Sequence, residues 1–255
     1  MNPKIKSWEG KHVWVIGAST GIGAETARLL LQNGARVALS ARNQTQLETL
    51  AHAYPQAIVA PLDITEHDTL VRSRDLLVHS WGKIDLVLIV AGAYNEMRAD
   101  SFDLHAAQKL IDVNLRGVYQ CLDVILPTLL RQGDGGIGIV GSVAGLSGLP
   151  KALVYGPTKA AIINLCESLF LDLRPKDIAV YMINPGFVET PMTEGNDFKM
   201  PALMSAPDAA QAVVKGMERG DFHIHFPKRF TNWLRLARLL PYPLYFRLVH
   251  KITGL

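Results

Sequence analysis

Short apolar runs rich in β-branched residues recur along the chain at 13–17, 36–41, 58–63, 84–91, 136–141, 178–184 and 222–226. Several are apolar at nearly every position, the pattern of strands covered on both faces. Helical periodicity fills the stretches between them, at 21–33, 44–54, 66–80, 104–131, 156–174 and 207–219. Gly34 follows the first of these as a stop signal. Strand and helix alternate strictly, which implies parallel strands joined by right-handed crossovers. The pattern predicts a single α/β domain over residues 1–226, doubly wound about a parallel sheet of about seven strands. No repeat, low-complexity stretch or linker interrupts it. Ligands of such a sheet bind beyond the carboxyl ends of the strands, where strand order reverses.

Residues 227–255 break the alternation. Phe230, Trp233, Leu234, Ala237 and Leu240 share one helical face, with Arg235 and Arg238 elsewhere on the wheel. A second short helix carries Leu244, Tyr245, Leu248 and Val249. The net charge of +3 is concentrated here: residues 221–255 hold six Lys/Arg and one Asp, and the remainder is slightly acidic. A basic amphipathic tail packs on the domain, on a partner subunit, or in a membrane interface. No apolar run reaches the eighteen or so residues of a membrane span. The N-terminus has charges scattered up to Lys11 and does not read as a signal peptide. Nucleic-acid binding lacks a supporting motif. The hydrophobic fraction of 49% and charged fraction of 19% fit a compact globule rather than a disordered chain. Cys121 and Cys166 fall inside helical patterns and form neither a disulfide framework nor a metal cluster, which suits a reducing cytoplasm.

The first strand leads into Gly17-Ala18-Ser19-Thr20-Gly21-Ile22-Gly23 and then a helix. Glycines there let the backbone turn sharply and approach a pyrophosphate, which the helix N-terminus then faces. The second strand ends Leu39-Ser40-Ala41-Arg42. Ala41 stands where an NAD-binding chain usually places a carboxylate for the ribose 2′-hydroxyl, and Arg42 follows, a good partner for a 2′-phosphate. That favours NADP(H) over NAD(H), against the plainer reading of Arg42 as a surface charge. Asp63 ends the third strand, where it is either a partner for an adenine amino group or an ordinary loop carboxylate.

Tyr155 and Lys159 stand four apart, so a phenol and an ammonium share one helix face. A free phenol has a pKa of about 10, and a neighbouring cation lowers it. Ser142 arrives from the end of the fifth strand, able to hold a substrate oxygen. Alone, a Tyr–Lys pair at this spacing is a common solvated helix face. Asn114 in mid-helix is a poor helix former and needs an explanation.

Taken together, these residues resemble the short-chain dehydrogenase/reductase family. The likeness rests on the Gly17/Gly21/Gly23 loop, Asp63, Ala91-Gly92, Asn114, Ser142, Tyr155, Lys159 and the segment Asn184-Pro185-Gly186-Phe187-Val188-Glu189-Thr190, over roughly residues 8–226. It implies a Rossmann domain and an oxidoreductase that interconverts a ketone or aldehyde and its alcohol. Tyr155 would exchange the proton, Ser142 would hold the substrate oxygen, and Asn114 would hold a water linking Lys159 to solvent. Lys159 would lower the tyrosine pKa and hold the nicotinamide ribose. Ser19, Thr20, Ile22, Ser40, Arg42, Asp63, Ile64, Ala91, Gly92, Pro185, Gly186, Val188 and Thr190 would join the glycines around the cofactor. Homodimers or higher homo-oligomers are implied as well. Two positions depart from the family: Ile16 replaces a threonine, and Ile89-Val90 replaces an asparagine pair.

The stretch after Thr190 is long for a strand–helix connection and reads as a lid. Met192, Phe198, Met200, Leu203 and Met204 from it, with Tyr94, Met97, Leu149 and Phe187, make candidate walls for an apolar carbonyl or alcohol substrate. The alternative is a non-catalytic NADP-binding sensor or scaffold of the same fold, in which a proton relay would have no purpose.

Overall fold

The computed structural model describes residues 1–195 and 200–254. All seven predicted strands are present in one sheet. β1 (His12–Ile16), β2 (Arg36–Ser40) and β3 (Ile58–Val59) step outward to one side. β4 (Leu86–Ile89), β5 (Gly135–Val140), β6 (Ile178–Pro185) and β7 (His223–Phe226) step outward to the other. The order is β3-β2-β1-β4-β5-β6-β7, and every pairing is parallel. Strand order therefore reverses between β1 and β4, and the sheet's ligand crevice belongs at their carboxyl ends.

The helices are α1 (Gly21–Gln32), α2 (Gln44–Ala51), α3 (His67–Trp81), α4 (Leu104–Ile111), α5 (Gly117–Gln132), α6 (Tyr155–Leu173), α7 (Ala206–Arg219), α8 (Lys228–Ala237) and α9 (Tyr242–Thr253). The near-continuous apolar runs are explained by two cores, one on each face of the sheet. Val13 and Val15 of β1 pack with Leu30 of α1 and Val213 and Met217 of α7. Trp14 and Ile16, one residue out of step, pack with Leu77 of α3, Val118 of α5 and Ile162 of α6. Successive side chains of a strand point to opposite faces, so both sets must be apolar when helices cover both.

The predicted helix over 104–131 is interrupted. Between α4 and α5 the chain widens into a π-helical turn at Asp112–Arg116, with Asn114 buried inside it. Such a turn re-aims one side chain without ending the helix. The third strand is shorter than its apolar run suggests, with only Ile58 and Val59 pairing to β2. In the tail the buried face matches the predicted one in part: Phe230, Leu234 and Ala237 are half-buried. Thr231 is fully buried, whereas Trp233 is 73% exposed and Leu240 lies beyond α8. Tyr245 of α9 is buried and donates its hydroxyl to the Gly148 carbonyl at 2.8 Å.

Candidate active site

A cleft of about 2180 Å³ opens at the carboxyl ends of the strands. Gly17, at φ +100°, sits where β1 and β4 diverge; a Cβ there would stand 2.5 Å from the Ala91 nitrogen. A Cβ on Gly23 would collide with the Gly17 carbonyl oxygen. The loop is thus folded on itself so tightly that only glycine fits. Thr20 precedes α1 without a side-chain cap, and Gly21, Ile22 and Gly23 of the first turn line the cleft together with Ser19 and Thr20. This cradle, with uncapped N–H groups at a helix N-terminus, fits the pyrophosphate of a dinucleotide.

The two departures from the family pattern are compensated by packing. Ile16 and Ile89 are buried in the core, and Val90 packs against the opposite core and the cleft. The start of the turn after β4 is held by backbone: the Val90 and Ala91 N–H groups both donate to the Ile16 carbonyl, at 2.8 and 2.9 Å.

Arg42, exposed, lines the same cleft just beyond Ala41. It makes no ion pair among the described residues, so its guanidinium is available to an anion. Ser40 does not reach the cleft. Its hydroxyl accepts from Trp14 Nε1 at 2.9 Å and donates to the Ala60 carbonyl at 2.6 Å, fully buried. The expectation for Ser40 fails because a bulky indole in β1 needs a polar partner in the interior. Asp63 lines the cleft with one carboxylate oxygen committed to Thr65 (N–H at 2.9 Å, hydroxyl at 2.8 Å). Ile64, Gly92, Pro185, Gly186, Val188 and Thr190 line it as well.

Ser142 follows β5 and opens a short 3-10 turn, accepting from the Ala144 N–H at 3.1 Å. Its hydroxyl also stands close enough to the Tyr155 phenol to lower that group's pKa. The turn lies directly on α6: a Cβ on Gly145 would stand 2.5 Å from the Lys159 carbonyl carbon. Ser142 and Tyr155 are thirteen positions apart in the chain, and this close approach brings them together. Tyr155 is half-buried at the first turn of α6, with the Tyr94 ring edge-on at 5.1 Å between centroids. Burial pushes its pKa up to about 12, with Ser142 opposing the rise and Tyr94 adding to it. The expected lowering by Lys159 is absent. Lys159, buried, spends its Nζ on the Val140 carbonyl at 3.0 Å and stands 5.7 Å from the centroid of the Tyr155 ring. Burial lowers the lysine to about 8, against a raising influence of the Cys166 thiol.

Asn114 explains its own place in a helix. From the π-helical turn its Oδ1 accepts from the Ala93 N–H at 2.8 Å, and its Nδ2 donates to the Ala93 carbonyl at 2.9 Å. The same Nδ2 reaches Thr158 Oγ1 at 3.4 Å, beside Lys159 on α6. One side chain thereby ties the turn after β4 to the helix bearing Tyr155 and Lys159. Thr158 had no signal in the sequence, because its relevance lies in a contact across 44 positions.

Of the expected substrate walls, Tyr94, Leu149, Phe187 and Met192 line the cleft. Met97 does not. It is buried with Ala107, Leu110 and Val154, and its backbone bridges to Ala152. Met200, half-buried, and Leu203, exposed, are not among the lining residues, and Met204 packs on the core while its backbone bridges to Val188. Phe198 lies outside the described residues. Thr193, absent from the expectations, lines the cleft and braces it by donating to the Val188 carbonyl at 2.8 Å and accepting from the Thr190 N–H at 3.1 Å. The tail supplies further wall: Phe230 packs on Phe187 with centroids 5.6 Å apart, and Leu234, Ile252 and Thr253 also face the cleft.

The family described as short chain dehydrogenase matches residues 11–200. An uncharacterized oxidoreductase of Myxococcus xanthus is 36% identical over 236 residues, covering 91% of this chain and 93% of that protein. Another from Staphylococcus epidermidis is 37% identical over 205 residues, 78% of this chain and 87% of its own length. Among solved structures, a short chain dehydrogenase from Burkholderia cenocepacia, in complex with NADP, superimposes with a TM-score of 0.84 at 24% identity, over 95% of this chain and 99% of that one. That last likeness speaks for the fold. With the family match and the Myxococcus relative, the chain belongs to the short-chain dehydrogenase/reductase family of NAD(P)-dependent oxidoreductases.

Proposed function

We propose that the protein is an NADPH-preferring reductase of apolar ketones or aldehydes, with Tyr155 as the acid. The observation that carries this reading is the Tyr155 phenol, beside the Ser142 hydroxyl and with Lys159 Nζ 5.7 Å from its ring centroid, in the same cleft as the glycine cradle. Gly17, Ser19, Thr20, Gly21, Ile22 and Gly23 would hold the dinucleotide phosphates, and Arg42 the 2′-phosphate. Asp63, Ile64, Ala91 and Gly92 would flank its adenosine and ribose parts, and Pro185, Gly186, Val188 and Thr190 its nicotinamide end. Bound there, the reduced cofactor supplies a hydride.

The rest is the work of the chain's own groups. A phenol raised to about 12 is fully protonated at neutral pH, the form a proton donor needs. Tyr155 gives its proton to the carbonyl oxygen, while the Ser142 hydroxyl binds the same oxygen and fixes its position. The Lys159 ammonium, 5.7 Å from the centroid of that ring, would have to turn from the Val140 carbonyl to stabilise the phenolate left behind. A lysine lowered to about 8 gives up its own proton more readily than a free one. Asn114 is a positioning residue, fixing α6 against the turn after β4. Tyr94, Leu149, Phe187 and Met192, with Phe230 and Leu234 from the tail, offer an apolar wall. That supports a substrate with an apolar body.

The buried thiols of Cys121 and Cys166 suit the reducing cytoplasm. Exposed Leu104, Ile111 and Tyr119 on α4 and α5 are the surface on which a homo-oligomer would form. The test is oxidation of NADPH by the purified protein against a panel of apolar ketones and aldehydes. Turnover of none, with NADPH still bound, would favour the non-catalytic sensor.

A further inference from the structure

The tail has two sides. Phe230, Leu234 and Tyr245 face inward, toward the cleft or the domain. Outward it presents Trp233 at 73% exposure, Leu239 at 78%, Tyr242 at 75% and Ile252 at 71%, with Leu236 and Phe246 at 59% each. Nine of the twenty large exposed hydrophobic residues among those described fall in the last 29 positions. Scattered apolar side chains on a surface need no explanation, but a concentration of this kind marks a surface that meets something apolar.

The charges say what. The same 29 residues contain six Lys/Arg and no Asp or Glu, while the first 226 hold 20 Lys/Arg against 23 Asp/Glu. Arg235 is engaged by His225 at 3.0 Å. Lys228, Arg229, Arg238, Arg247 and Lys251 are exposed and make no salt bridge among the described residues. A second copy of the tail is a poor occupant, because a symmetric contact sets the same cations against themselves. An anionic phospholipid surface answers both features, accepting aromatic and aliphatic side chains below its headgroups and cations among them. Among the described residues no helix is long and apolar enough to cross a membrane, so the tail would lie in the interface.

The patch is continuous with the mouth of the cleft. Ile252, one of its exposed members, also lines the cleft, and α8 turns Leu234 to the cleft and Trp233 to the outside. We propose that α8 and α9 seat the protein on an anionic bilayer and open the cleft toward it, so that an apolar carbonyl substrate enters from the lipid. The route of entry rests on the reductase reading above; the lipid seat does not.

The experiment is flotation of the full chain with vesicles of phosphatidylcholine containing phosphatidylglycerol, and with phosphatidylcholine alone. Binding to the anionic vesicles should be more than about tenfold tighter and should weaken with salt. Arg238→Gln and Arg247→Gln should each weaken it about fivefold. A triple variant, Trp233→Ser, Leu236→Ser and Leu239→Ser, should lose more than about tenfold. None of these side chains lines the cleft, so the variants should reduce a water-soluble ketone at the wild-type rate without vesicles. They should be slow only toward a ketone dissolved in the bilayer. Failure of the full chain to float, or a triple variant that floats like the wild type, overturns the proposal. So does a dimer seen by light scattering that the triple variant splits, since a second copy then covers the patch. Flotation without turnover of any ketone upholds the lipid seat and overturns the reductase and the route of entry. Turnover without flotation upholds the reductase and overturns both the lipid seat and the route of entry.

Discussion

Arg235 of α8 donates to Nε2 of His225 at 3.0 Å, while Nδ1 of the same ring lies 2.6 Å from the buried Thr231 hydroxyl. The guanidinium has no acceptor capacity, so Nε2 carries no proton and Nδ1 does. The Arg235 part of this link between the last strand and the first tail helix holds only while the imidazole is neutral. Burial, with Lys228, His223 and Arg235 nearby, lowers His225 to about 4; burial, Arg235 and Lys228 lower His223, 4.7 Å away between centroids, to about 4 as well. Both folded values lie below the ordinary histidine value of about 6.5. The unfolded chain therefore binds more protons than the folded one below about 6.5, and stability falls as pH drops from there toward 4. The loss at His225 should be up to about 3 kcal/mol. Urea denaturation at pH 7.5 and pH 5 should show it, and His225→Gln should shrink the difference between the two. An undiminished difference in the variant would assign the acid sensitivity elsewhere.

Replacing the phenol hydroxyl is the direct test of the proposed chemistry. Tyr155→Phe should lower kcat by about two to four orders of magnitude, with NADPH affinity retained. Near-wild-type turnover would remove Tyr155 from the reaction.

Arg42 is expected to discriminate between the two nicotinamide dinucleotides. Arg42→Ala should weaken NADPH about ten- to a hundredfold through loss of a charge-assisted contact and leave NADH almost unchanged. Titrations of both cofactors by intrinsic fluorescence would measure it, and equal losses would contradict the phosphate role.

Gly145 is the least conspicuous residue on which the site depends. The Cβ of Gly145→Ala would press on the α6 backbone at Lys159 and Ala160, at 2.5 and 2.6 Å, where no side chain can yield. The Ser142 turn must then move off α6. We expect kcat to fall about tenfold or more while the cofactor Kd changes little, together with a stability loss of about 1–3 kcal/mol. Steady-state kinetics beside a thermal melt would separate the two effects.

Asn114 anchors both polar ends of its amide in the interior. Asn114→Ala would leave the Ala93 N–H and carbonyl without their side-chain partner, a cost of about 1–3 kcal/mol. It should also lower kcat more than it raises KM, because α6 loses its tie to the turn after β4. A variant that is destabilised yet retains wild-type kcat would restrict Asn114 to a structural role.

The sheet and its flanking helices were legible from periodicity, because a strand covered on both faces and a helix covered on one leave different local patterns. The glycine loop was legible for a similar reason: close backbone approach at Gly17 and Gly23 admits no other residue. Legibility failed where side chains had a choice of partner. Ser40 stands at a position facing the crevice by sequence, yet the Trp14 indole claims it. Met97 looked like a pocket residue and is consumed by a small core of its own.

What the chain determined by itself is short-range: alternating strands and helices, a glycine cradle at the first crossover, and a phenol and an ammonium one turn apart on α6. What tertiary structure alone decided is long-range. It placed the Ser142 turn against α6 through Gly145, and widened a helix so that Asn114 reaches Ala93 and Thr158. It raised Tyr155 rather than lowering it, because burial outweighs a cation already committed to a carbonyl oxygen. It also brought residues 230–253 back to wall a cleft formed some forty positions earlier and more. Periodicity records which face of an element is covered; only the packed chain says which distant residue covers it.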